Sequence, residues 1–89
     1  MEQDLIKQKI EYIEHINKAR YNIAKLKEKK AQSKQSAWTD ATGTAKEKED
    51  YVRSCVSNMD REILENEADI EWYYNMIDIV DFKLVYSDD

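Results

Sequence analysis

The sequence predicts an all-α protein: an antiparallel helical hairpin of two long helices with coiled-coil packing, assembling into a homo-oligomeric helical bundle. Three observations carry that expectation. Proline is absent and there is one glycine among 89 residues, so almost nothing interrupts helix formation. Charged residues make up 37% of the chain, a composition typical of long helices with solvated faces. One apolar series also repeats in alternating steps of four and three residues for more than four heptads. At 89 residues the chain is a single domain, residues 1–89, and a marginal one if it must build its core alone.

The first helix is expected over about residues 3–35, where the helical period holds without a breaker. Its apolar residues spread over roughly half the circumference. Leu5, Tyr12, Ile16, Ala19, Ile23 and Leu26 form one stripe, and Ile6, Ile10, Ile13 and Ala24 form another. Between them run Lys9, Arg20 and Lys27, separated by nearly whole helical turns. A helix with two apolar stripes needs two neighbours. A loop is expected over about residues 36–44, where Ser, Thr, Asp and the single Gly43 concentrate. Thr44 followed by Glu47 reads as a capping box that opens a second helix over about residues 45–86.

That second helix carries the cleaner pattern. Val52, Val56, Met59, Ile63, Asn66, Ile70, Tyr73, Ile77, Val80 and Leu84 form one heptad seam, and Asn66 within it is expected to set register or oligomer order. Cys55 lies beside the seam and is expected to pack as a small apolar residue. Trp72, Tyr74, Met76, Ile79 and Phe82 lie on other faces of the same helix. Together with the second stripe of the first helix they form more apolar surface than a lone hairpin can hide, so the chain is expected to partner itself.

Composition narrows function. A net charge of -5 argues against long nucleic acids and anionic membrane surfaces as partners. No apolar run reaches the ~18 residues of a spanning helix, the N-terminus lacks the apolar stretch of a signal peptide, and the lone cysteine fits a reducing compartment. The expected location is cytoplasmic. Catalysis is not expected: His15 is the only histidine, and with Glu11 it gives Glu-x-x-x-His rather than the Glu-x-x-His of di-iron bundles. Neither a zinc ligand set nor a glycine-rich phosphate loop is present, and no cofactor is implied.

The basic line has two readings. Its side chains can cover the apolar stripes and pair their charged heads with Asp or Glu of the neighbouring helix. Alternatively, Arg20 and Lys27 bind an anion at an interface, because a guanidinium between apolar walls is a good phosphate ligand and Tyr12 or Tyr21 offers a face for stacking. The segment His15-Ile-Asn-Lys-Ala-Arg20 resembles an element in the first helix of phage anti-CBASS proteins, small oligomeric helical hairpins that sequester cyclic oligonucleotide immune signals. Asn17 matches that family's Asn and Arg20 its phosphate-contacting Lys. Arg61 with Asp69-Ile70 is similar to a pair in the family's last helix, and Tyr74 to its Phe. The likeness covers roughly residues 5–25 and 61–80. Leu5 stands where the family has its stacking tyrosine, which leaves that part to Tyr12, and Glu71-Trp72-Tyr73-Tyr74 lacks the family's glycine.

The resemblance implies a non-enzymatic protein in the cytoplasm of a phage host. It would bind a cyclic oligonucleotide through Arg20, Asn17, Tyr12, Lys27 and Arg61. A second resemblance is to WXG100-type secreted hairpins, through Trp38 in the central loop and Tyr74-x-x-x-Asp78, although Trp38 is followed by Thr39-Asp40 and the defining glycine is missing. It implies the alternative function, a protein–protein interaction module. Such a module would act on a host protein or secretion partner through its aromatic C-terminal helix.

Overall fold

The computed structural model describes residues 2–86, which form two helices, α1 (Glu2–Asp40) and α2 (Ala45–Tyr86), packed along each other as an antiparallel hairpin. Among the described residues there is no strand. The hairpin measures 69 × 17 × 12 Å. Its radius of gyration is 19.9 Å, whereas a compact chain of this length would have about 12 Å. No helix among the described residues is long and apolar enough to cross a membrane.

All ten residues of the expected α2 seam are buried or half-buried. Its partner on α1 is Leu5, Lys9, Tyr12, Ile16, Ala19, Ile23, Leu26, Lys30, Ser33 and Ala37, again in steps of four and three. These shielded positions repeat every 3.5 residues, the period that keeps two helices in contact along their length. The fully buried part is small: Ile16, Ala19, Ala37, Ala41, Val56, Ile63, Ile77 and Val80.

This repeat corrects the expected basic line. Eleven residues are just over three turns of a straight helix but farther from a whole number of 3.5-residue turns, so Lys9 and Arg20 separate. Lys9 lies in the seam itself and reaches Asp81 at 2.8 Å. Arg20 and Lys27 lie one position past it and are exposed. Lys30, a second seam cation, pairs with Asp60. The covering role of long cations therefore holds for Lys9 and Lys30, whose stems lie in the seam and whose heads meet carboxylates of α2. Farther out, the lysine-rich segment 25–34 of α1 lies beside residues 56–65 of α2, which carry Asp60, Glu62 and Glu65.

The first helix ends five residues later than the Ser/Thr/Asp content of residues 36–40 suggests. Packing explains the difference. Ala37 continues the seam and is buried, Ala41 N–H closes a 2.9 Å bond on Ala37 C=O, and Thr39 Oγ1 donates to Gln35 C=O at 3.0 Å. The connection shrinks to residues 41–44, where Gly43 takes a positive φ of 103°. The expected cap forms, with Glu47 N–H donating to Thr44 Oγ1 at 3.2 Å. The Glu47 carboxylate accepts from the same hydroxyl at 3.2 Å, rather than from the Thr44 backbone as a full capping box would have it.

One other expectation changes. Cys55 is exposed and does not pack. Asn66 is shielded in the seam, but its amide donates to Glu62 C=O of its own helix at 2.8 Å, so this donor does not reach α1.

Candidate functional site: one face and two ends of the hairpin

With a and d marking the seam of each heptad, the residue after every α1 seam position forms a second line: Ile6, Ile10, Ile13, Asn17, Arg20, Ala24, Lys27, Ala31, Lys34 and Trp38. This line flanks the seam rather than lying in it, and its three isoleucines are 40–51% exposed. The expected second stripe therefore exists and is unpaired within the hairpin. It is apolar at the open end of the hairpin, opposite the connection 41–44, and basic toward that connection. On α2, Trp72, Ile79 and Tyr86 repeat at seven-residue intervals on the outer side, with Phe82 between them, all exposed and all at the same open end.

Asn17, Arg20 and Lys27 share the exposed line on α1. The Arg20 guanidinium donates to the Tyr74 hydroxyl and lies 5.6 Å from the centre of that ring, a contact that spans the hairpin. Tyr12 is elsewhere. It sits in the seam within an aromatic cluster, 5.9 Å from Tyr73 and 6.2 Å edge-on from Trp72, and His15 stacks flat on Tyr73 at 5.0 Å. Arg61 is exposed on the outer side of α2, thirteen residues from Tyr74 and thus about 20 Å along the axis. Asn17, Arg20 and Lys27 are thus strung along about 15 Å of one line on α1, while Tyr12 sits in the seam and Arg61 on the outer side of α2.

Sequence reasoning missed Tyr74 as the partner of Arg20. The pairing follows from register: residues across the seam have numbers summing to about 90, as Lys9 with Asp81 and Lys30 with Asp60 do. It also missed a groove at the loop end between Lys34 and Arg53, with Trp38 at one end. Elsewhere, Tyr51 is held above the ordinary phenol pKa, chiefly by its hydrogen bond with Cys55 one turn on. The Cys55 charge, slight burial and the Asp40 charge push in the same direction. Among the described residues, no three His, Cys, Asp or Glu side chains converge as a metal-binding group.

Comparison with protein-family models, curated proteins and solved structures finds no match to this chain.

Proposed function

We propose that the chain is a non-enzymatic interaction module that works as an assembly of its own copies, joined through the open ends of the hairpins. One observation carries this reading. The isoleucine line of α1 and the Trp72, Ile79, Phe82 and Tyr86 line of α2 lie exposed at one end, too much apolar surface for a lone soluble helix pair. Area gives the scale. The hairpin exposes 7023 Å², about 1,500 Å² more than the ~5,500 Å² of a compact chain of 10.6 kDa. A standard interface takes about 800 Å² from each partner, so the excess would supply two such faces. Light scattering on the eluting protein tests this. An assembly at micromolar chain concentration supports it, and a folded single copy overturns it and leaves the stripes to a groove on a different protein.

A second reading has its own observation. Asn17, Arg20 and Lys27 continue the isoleucine line, so copies that pair through it would carry these groups along the joint. A phosphate-bearing small ligand bound there, a cyclic nucleotide by the resemblance above, would be sequestered between copies and a host defence thereby blunted. Calorimetric titration with cyclic di- and trinucleotides tests it. Heat that disappears in Arg20→Leu supports this reading, and absence of heat with the assembled protein ends it.

A further inference from the structure

The groove at the loop end combines features that the assembly does not use. It is a cavity of about 860 Å³ between the helices, within the ~300–1,000 Å³ typical of small-molecule sites. Val52 and Val56 form its apolar floor. Trp38 stands toward one end and is 46% exposed, and the Lys48 ammonium lies 5.3 Å from the ring centre. The Lys30–Asp60 ion pair lies toward the other end. From residue 30 to residue 39 the groove is about 14 Å long. That length suits a small molecule rather than a long helix.

The rim is charged. Lys34 from α1 and Arg53 from α2 line the groove from opposite sides, and neither is in an ion pair among the described residues. Two carboxylates also line it: Asp60, already taken by Lys30, and Glu49. The arrangement provides an aromatic plate, a greasy floor and two uncommitted cations. Arg adds planar paired donors suited to an oxyanion.

We infer that this groove binds a small aromatic anion, with its ring against Trp38 and its phosphate, sulfonate or carboxylate held by Lys34 and Arg53. The inference does not rest on assembly, because the groove lies within one hairpin at the end away from the apolar lines.

The chain has two tryptophans, so their indole N–H resonances report separately on the loop end, through Trp38, and the open end, through Trp72. Phenyl phosphate is expected to shift the Trp38 signal and saturate at sub-millimolar concentration while Trp72 stays in place. Inorganic phosphate and benzyl alcohol, each carrying half of the chemistry, are expected to bind at least tenfold more weakly, as a charge-assisted hydrogen bond contributes ~1.5–3 kcal/mol. Arg53→Gln and Lys34→Gln are each expected to raise the dissociation constant about tenfold or more, and Glu49→Gln to lower it. Both cations are exposed, so an unchanged far-UV spectrum verifies that the variants fold. No Trp38 shift at millimolar phenyl phosphate, equal binding of benzyl alcohol, or unchanged affinity in both cation variants overturns the site. A single-copy protein that still binds phenyl phosphate would overturn the assembly and leave the groove standing.

Discussion

Replacing Ile10 by Glu separates the two states of the chain. In a lone hairpin Ile10 is 51% exposed on the outer line of α1. Glu favours helix at least as well as Ile, and exposed substitutions usually change stability by less than about 0.5 kcal/mol. In an assembly joined through that line, the exposed half of the side chain becomes buried. Full burial of an Ile is worth ~1.5–3 kcal/mol, so half is worth ~0.7–1.5 kcal/mol per copy and about twice that per pair of copies. The dissociation constant should therefore rise at least ~10- to 100-fold, and further if the new carboxylate must be desolvated. Sedimentation equilibrium measures the constant, and thermal unfolding at high dilution measures the hairpin itself. Ile10→Glu should weaken the first and spare the second. Equal dissociation constants for both proteins would refute the reasoning, and unfolding of the dilute variant would mean that Ile10 belongs to the hairpin core.

Gly43→Ala should destabilise by ~1–2 kcal/mol, since a side chain is strained at φ 103°, and its Cβ would meet the Glu47 carboxylate at 2.5 Å; thermal melting registers the loss. Asn66→Leu should raise stability by ~1 kcal/mol, because Leu can extend the seam beside Leu26 where the amide bonds only its own helix; denaturant titration measures it. Cys55→Ala should bring the Tyr51 phenol back toward 10.0 in an absorbance titration, with Tyr51→Phe identifying the signal. The raised pKa favours the neutral phenol in the folded chain, so Tyr51 leaves stability untouched below pH 10.0 and lowers it only in more alkaline solution.

The two helices differed in how plainly their sequences exposed the fold. In α2 nine of the ten seam positions are apolar, so composition alone traced the line. In α1 the seam includes Lys9, Lys30 and Ser33, while isoleucines occupy the outer line. Two stripes were visible there, but which of them faced α2 was not. The helix end was misplaced because Ser, Thr and Asp in 36–40 carry loop propensity, which packing of Ala37 and Ala41 overrides. Of the site, Arg20 and Lys27 were legible as members of one line because they lie seven residues apart on one helix. The Arg20–Tyr74 contact and the groove between Lys34 and Arg53 were hidden. Both depend on how far one helix has slid along the other, which the four-residue connection 41–44 fixes and no single-helix pattern encodes.

The two ion pairs bear on how the rod could be resized. Lys9 to Lys30 is 21 residues and Asp60 to Asp81 is also 21, three heptads in each case. They act as two rungs at matching heights on a ladder. Cutting seven residues from one rail alone would break a rung, whereas cutting 16–22 together with 68–74 would keep both rungs and shorten the rod by about 10 Å. A row of such shortened rods would make a molecular caliper, reporting whether whatever grips the open end also measures distance to the loop.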